Sequence, residues 1–312
     1  MAQAVVAPEY GAPSVLSLVD IDVPAPEAGR VSVQMKAVGL NPYDYKVFTG
    51  LYGSDPAKLP LRVGNEGSGI VTAVSEGAES DFGPIAVGDE VVINNAGGLL
   101  ATEVTVRASS ITPKPSEVSF EQAAALLLAG TTAWDLVESS GIERGNTVLV
   151  HGASGGVGYI AAQLAVAKGA RVIGTASASR HPTLVHIRVE PVLYGKGLDI
   201  RLSTIVPHGV DIVLDASGSA DALAVSLDLV SDPAKIFSVA LEPDEAAAAG
   251  VVRLPTGRSN EIRREARKPL LDRLADGSLQ VLISDTFPLE KVQKAYELVG
   301  SGHAGGKVVV TL

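Results

Sequence analysis

The sequence predicts an α/β chain with two domains, one rich in strands and one built on a doubly wound parallel sheet. Three observations carry that prediction. At 312 residues the chain exceeds what a single hydrophobic core usually supports. Its hydropathy pattern changes near residues 112–115, from short runs punctuated by Gly and Pro to alternating strands and helices. Beyond that break, an apolar strand runs straight into a glycine-rich turn and an apolar helix.

From residue 4 to about 112, residues 31–38, 69–74, 90–93 and 103–106 read as strands separated by turn residues. Thr112-Pro113-Lys114-Pro115 interrupts this pattern, and Ser119 with Gln122 then forms a capping-box signature ahead of the apolar residues 123–128. Residues 147–150, 171–175, 210–214 and 235–239 read as buried strands between helical stretches, an alternation that predicts a parallel sheet with helices on both faces. Residues 188–202 have no assignable period because Gly and Pro break it. A charged helix over about 260–276 contains Pro269, which predicts a kink or a split. The last stretch reads as turn, helix and strand: Phe287-Pro288-Leu289, then 290–299, then 307–312.

Composition excludes several classes of function. Apolar residues make up 46% and charged ones 19%, which is ample for a core and argues against disorder. A net charge of -10 opposes binding to nucleic acid or to anionic membranes. The densest basic stretch, 258–268, interleaves Arg258, Arg263, Arg264, Arg267 and Lys268 with Glu261 and Glu265 and so reads as a solvated helix face. With no cysteine, disulfides, thiol nucleophiles and thiolate metal sites are ruled out. The start of the chain lacks a basic and then apolar leader, and the longest uncharged apolar run, near 123–130, is too short for a bilayer, so a soluble cytoplasmic protein is expected. The five histidines, His151, His181, His186, His208 and His303, show no ligand spacing and are expected on the surface or in turns.

The strongest chemical signal follows the strand Val148-Leu149-Val150. It is His151-Gly152-Ala153-Ser154-Gly155-Gly156-Val157-Gly158, after which Val157, Ile160, Ala161, Leu164 and Ala165 repeat at helical spacing. A pyrophosphate needs main-chain amides at a helix N-terminus without side chains in the way, and glycine provides that. Flanking strands complete a βαβ unit, so a dinucleotide site is predicted over Gly152, Ala153, Ser154, Gly155, Gly156, Val157 and Gly158. Ala153 replaces the first glycine of the common pattern, and the turn must accept its methyl group. After the second strand come Thr175, Ala176, Ser177 and Arg180, with no carboxylate before Glu190. An acidic residue there would hold the ribose hydroxyls of NAD and repel an added phosphate, so NADPH is favoured, with Ser177 and Arg180 as donors. Use of either cofactor, with Arg180 a solvated loop residue, stays open.

Five blocks extend the reading to most of the chain. They are Gly39-Leu40-Asn41-Pro42-Tyr43-Asp44-Tyr45-Lys46, Gly64-Asn65-Glu66-Gly67-Ser68-Gly69, Val87-Gly88-Asp89-Glu90-Val91, Leu128-Ala129-Gly130-Thr131-Thr132-Ala133-Trp134 and the glycine turn. In this order and spacing the chain resembles the zinc-free quinone oxidoreductase branch of the medium-chain dehydrogenase/reductase superfamily. The resemblance implies a GroES-like, strand-rich catalytic domain over residues 1–118 and 262–312, wrapped around a Rossmann domain with a doubly wound parallel sheet over 119–261. Zinc-dependent relatives carry catalytic ligands at positions matching Asn41, Asn65 and Leu128, which do not suit tetrahedral zinc, so no metal is expected and Glu66 is left with structural hydrogen bonding.

Without that Lewis acid, the implied reaction is NADPH-dependent reduction of a small quinone or conjugated enone. An NADPH-dependent alkenal or enoyl reductase, or a non-catalytic NADPH-binding protein, are the alternatives. The resemblance places Asn41, Asp44, Tyr45 and Tyr52 along the catalytic loop. Tyr45 and Tyr52 would donate to the developing oxyanion or simply pack, Asn41 would orient the carbonyl, and Asp44 would tie the loop together. It further assigns to the cofactor Thr132, beside Thr131; Tyr194, beside the weaker candidate Lys196; Ala216, Ser217 and Ala240 after later strands; and Lys307. Where relatives end a helix in Leu-Gly-Ala, this chain has Ile187-Arg188-Val189. A homodimer is the expected assembly.

Overall fold

A computed structural model of the chain describes residues 2–312. It divides into two compact units, Met1–Leu128 with Leu270–Leu312, and Ala129–Pro269. Both boundaries fall later than those the resemblance implied. The first moves because the short helix Phe120–Ala124 packs on the strands Arg30–Leu40 and Glu66–Val74 of the first unit. Its capping box forms as predicted, with Gln122 N donating to Ser119 Oγ at 3.2 Å and Ser119 N donating to Gln122 Oε1 at 3.3 Å.

The first unit is built on a seven-stranded sheet in the order Ile111–Pro113, Glu90–Asn94, Glu66–Val74, Arg30–Leu40, Lys307–Thr311 and Ile283–Pro288, with Glu103–Arg107 also pairing Arg30–Leu40. All pairs are antiparallel except Ile283–Pro288 beside Lys307–Thr311. The last strand of the chain thus lies against Arg30–Leu40, with Val308 opposite Leu40, which places Lys307 beside Asn41. The helix Val292–Gly300 buries Val292, Ala295, Tyr296 and Val299, a spacing that puts one apolar stripe on the core formed by Met35, Phe48, Ile93 and their neighbours.

The second unit holds a six-stranded parallel sheet in the order Glu190–Leu193, Arg171–Ala176, Thr147–His151, Ile212–Asp215, Ile236–Ser238 and Val252–Arg253. Its central strands are apolar throughout, as a sheet covered on both faces requires, and Val148, Leu149 and Val150 are completely buried. The stretch without a readable period resolves into the strand Glu190–Leu193 and the helix Leu198–Ile205. Pro191 is tolerated because that strand is at the sheet edge. The turn between them is held by Arg201, whose guanidinium donates to the carbonyls of Leu193 at 2.9 Å, Gly195 at 3.1 Å and Lys196 at 3.1 Å.

Three expectations need correction. Of the kink or split expected at Pro269, the split is absent: the helix Ser259–Ala275 is continuous across Pro269, which forfeits the hydrogen bond to the Glu265 carbonyl. Its basic stretch is not a purely solvated face: Arg263 Nε donates to Asp135 Oδ2 at 2.9 Å, Asp135 is fully buried, and Arg267 is buried too. His151 is buried at the end of its strand rather than exposed. Among the described residues, no helix is long and apolar enough to cross a membrane.

The helix His181–His186 closes with Arg188 N donating to Val185 O at 3.0 Å and Val189 N donating to Leu184 O at 3.0 Å. This is the Schellman arrangement, in which the residue at Arg188 takes a left-handed conformation, here φ 62°. Glycine is the low-strain residue for that position, and Arg188 is exposed. Arg188→Gly is therefore expected to raise stability by about 0.5–1 kcal/mol, read as a higher urea midpoint at unchanged slope.

Candidate functional site

In the second unit, the strand Thr147–His151 passes into Gly152, whose φ of 68° turns the chain sharply. Ala153 N donates to Thr175 O at 3.0 Å and Gly155 N to Gly152 O at 2.9 Å, so the turn is fixed from both ends. The helix Gly156–Ala167 then begins with Gly155 at its N-cap and no side-chain cap. Its first amides thus lack intrahelical partners and are not covered by a side chain from the cap, which is the arrangement that receives an anion. A Cβ on Gly158 would sit 2.2 Å from Gly152 O, so only glycine allows the helix to lie this close to the turn. The methyl of Ala153 is accommodated because Gly174 lies opposite, where a Cβ would be 2.7 Å from it.

The ends of neighbouring strands converge on this turn. A Cβ on Gly152 would lie 3.3 Å from the Ala216 carbonyl carbon, and one on Gly218 would lie 2.8 Å from Ala240 O. Gly152, Ala216, Ser217 and Ala240 are thereby gathered at the C-terminal edge of the sheet, where open α/β sheets bind ligands. Asp215 organises that edge. Its carboxylate accepts Ser217 N at 2.9 Å, Ser217 Oγ at 2.7 Å and Ser238 Oγ at 2.7 Å, while Ser238 Oγ accepts Ala240 N at 3.1 Å.

Thr175 is buried, and its hydroxyl accepts Gly152 N–H at 3.2 Å and meets His151 Nδ1 at 3.3 Å, so it braces the turn from below. His151 Nε2 meets Ser226 Oγ at 3.0 Å. Burial pushes the His151 imidazole down to about 4, with the Asp215 carboxylate opposing, and the ring is neutral at pH 7. Beyond the buried Ala176, the Ser177 and Ser179 hydroxyls lie 3.1 Å apart and Arg180 is half-buried. Pairing of Ala176 with Leu193 brings the exposed Tyr194 alongside this group. Thr132 is half-buried and Thr131 is buried.

In the first unit, Asn41 starts the helix Pro42–Phe48, and its N–H donates to Asp44 Oδ2 at 3.0 Å. Asp44 Oδ1 accepts a short hydrogen bond from Asn65 Nδ2. The Lys307 ammonium is buried and uses all three protons: on Glu66 Oε1 at 2.6 Å, on Leu40 O at 3.1 Å, and in a short contact on Asn41 Oδ1. Asn41 Nδ2 donates to Glu66 Oε1 at 3.0 Å and to Gly39 O at 3.2 Å, and Leu128 N donates to Glu66 Oε2 at 2.7 Å. Glu66 and Lys307 thus form a buried, fully hydrogen-bonded ion pair.

Asn41 has no side-chain donor left for a substrate carbonyl and is buried, so in this arrangement it is a structural link. The ammonium of Lys307 is likewise committed inside its own unit. Tyr45 packs its ring edge-on to Phe48 at 5.6 Å and leaves no room for a side chain at Gly300. Tyr52 is exposed.

Burial raises the Asp44 carboxyl to about 6, against the lowering effect of Asn65 and Lys307. The folded value lies above the ordinary 3.8, so the native state keeps a proton that the unfolded chain releases between about pH 4 and 6. This group's contribution to stability is present below pH 4 and is lost as pH rises through 6, by up to about 2–3 kcal/mol. Urea midpoints from pH 4 to 7 should carry this downward component, and Asp44→Asn should lack it.

The alcohol dehydrogenase GroES-like domain family matches residues 27–116, and the zinc-binding dehydrogenase family matches residues 190–310. The synaptic vesicle membrane protein VAT-1 homolog of Rattus norvegicus is 36% identical over 248 residues, covering 78% of this chain. The chain spans 57% of that relative's length. The quinone oxidoreductase of Lama guanicoe is 30% identical across 97% of this chain and 96% of its own. The chain belongs to the quinone oxidoreductase branch of the medium-chain dehydrogenase/reductase superfamily. Among solved structures, the Escherichia coli quinone oxidoreductase complexed with NADPH superimposes with a TM-score of 0.87 at 28% identity, over 99% of this chain and 100% of that one.

One of the matching families is described as zinc-binding, and the donor set of this quinone oxidoreductase-branch member does not fit that ion. Asn41 and Asn65 offer amides already held by Lys307, Glu66 and Asp44, Leu128 offers an aliphatic side chain, and an ammonium lies among them. Among the described residues, no group of three His, Cys, Asp or Glu could hold a metal. The glycine turn, by contrast, fits a dinucleotide. Sequence reasoning missed Asp215, Ser238, His151 and the Glu66–Lys307 pair. The pair left a trace: Glu66 precedes Gly67 at the head of a buried strand, and Lys307 opens the apolar run Val308-Val309-Val310, so each charge required a buried partner.

Proposed function

We propose that this chain is an NADPH-dependent, zinc-independent oxidoreductase whose acceptor is a small quinone or conjugated enone. The observation that carries this reading is the turn at Gly152–Gly158, where the first helix amides have no side-chain cap and the helix lies so close to the turn that a Cβ on Gly158 would meet the Gly152 carbonyl oxygen. The NADPH-bound relative from Escherichia coli supports the same reading. Bound there, the cofactor would supply a hydride.

The chain's own residues would do the rest. Amides of Gly156, Val157 and Gly158 would hold the pyrophosphate, and Ala216, Ser217 and Ala240 would line the adjoining strand ends. Ser177, Arg180 and Tyr194 would receive the adenosine phosphate, and the sequence from Thr175 to Val189 carries no carboxylate to repel it. Thr132 and Lys307 were assigned to the cofactor by resemblance; Lys307 would act through the strand it opens, since its ammonium is held by Glu66. Tyr52, being exposed, can donate to an oxygen that gains negative charge, whereas Tyr45 packs and Asp44 fixes the loop that carries both.

The test is oxidation of NADPH by purified protein against a panel of quinones, enones and alkenals. Turnover with conjugated acceptors is expected. A protein that binds NADPH and turns over none of them would overturn the enzymatic reading.

A further inference from the structure

The segment from Tyr43 to Tyr52 carries an exposed aromatic group, of which the oxyanion role proposed for Tyr52 accounts for one hydroxyl and leaves the rings and Tyr43 without a role. Tyr43 is 50% exposed, Leu51 68% and Tyr52 54%. The cause is local. In the helix Pro42–Phe48 the buried residues are Asp44 and Phe48, so Tyr43 falls on the outer face. The chain then turns at Gly50 and Gly53, with φ of 81° and 104°, and Tyr52 N donates to Lys46 O at 3.2 Å, folding Tyr52 back along the helix.

The result is a built surface. The Tyr43 and Tyr52 rings lie 5.9 Å apart, tilted by 49° rather than stacked, so they do not cover each other. Lys46 Nζ stands 5.3 Å from the Tyr52 ring centroid, a cation–π contact that fixes that ring. Two electron-rich phenol rings held open beside a cation match one ligand chemistry in particular: a flat, electron-poor ring bearing carbonyl oxygens. Such a ring would stack on Tyr43, with the tilted Tyr52 ring at its edge and its oxygen toward the ammonium that stands over Tyr52.

The geometry points to Tyr43 as a specificity-determining residue that, with Tyr52 and Lys46, selects planar quinone rings over flexible aliphatic acceptors. This rests on the hydride-transfer reading given above and names its substrate class. Offset aromatic contacts of this kind contribute about three- to tenfold in affinity.

The experiment compares wild type, Tyr43→Ala and Tyr43→Phe with menadione, a naphthoquinone, and with 2-hexenal, a straight-chain alkenal. Tyr43→Ala is expected to raise KM for menadione by about three- to tenfold with the effect confined to KM, while KM for 2-hexenal and the Kd of NADPH hold. Tyr43→Phe should keep the menadione value, since the ring and not the hydroxyl makes the contact. Equal shifts for both acceptors, or none for menadione, would overturn the assignment. Should wild type oxidise NADPH with neither acceptor, the enzymatic reading fails on its own. Menadione binding measured by equilibrium dialysis then decides the aromatic site, with weaker binding to Tyr43→Ala supporting it and equal binding refuting it.

Discussion

Replacing Lys307 with methionine is expected to lower stability by about 3–5 kcal/mol. The variant keeps the aliphatic bulk and deletes the charge. Glu66, which is fully buried, would be left with donors from Asn41 and Leu128 but no counter-charge, and Asp44 would lose the nearby cation as well. Asn41 Oδ1 and Leu40 O would lose their donor at the same time. Urea unfolding measures the loss. A double substitution, Glu66→Gln with Lys307→Met, should cost clearly less than the sum of the two single changes, because no charge is then stranded.

Gly158→Ala is expected to weaken NADPH binding roughly a hundredfold, about 2.7 kcal/mol, with the parallel sheet intact. The added methyl would stand 2.2 Å from the Gly152 carbonyl oxygen and 3.1 Å from Ala153 Cα, both main-chain atoms that can move only by opening the turn. Opening it moves the helix amides away from the position they need for a pyrophosphate. Fluorescence titration with NADPH gives the affinity, and far-ultraviolet circular dichroism checks the fold. The strands Thr147–His151 and Arg171–Ala176 are buried on both faces and should tolerate the local shift.

How much was legible in the sequence depended on whether local pattern or long-range contact fixed each feature. The glycine turn was legible because strand, turn and helix are contiguous and every requirement falls within Val148 to Ala165. The capping box at Ser119 and Gln122 was legible for the same reason. The strand Glu190–Leu193 was not, because its place at the sheet edge is what makes Pro191 acceptable, and edge position is a tertiary fact.

In the site, residue types were visible and their partners were not. Asn41 was readable as a site residue, but that its amide is occupied by Glu66 and Lys307 depends on a strand returning from far along the chain. Asp215 ends an apolar strand in the sequence, yet its role appears once Ser217 and Ser238 are seen to converge on it. Even the methyl of Ala153, an apparent departure from the common glycine pattern, is explained by the absence of a side chain at Gly174 on the next strand.

In the proposed function, the turn after Val150, followed by a strand end without a carboxylate, holds the phosphorylated form of the nicotinamide cofactor. Parallel titrations of wild-type protein with NADPH and NADH test it most directly. Saturable binding of both is expected, with NADPH tighter by at least about tenfold and that preference lost in the double variant Ser177→Ala with Arg180→Ala. Binding of neither dinucleotide, or tighter binding of NADH, would contradict it.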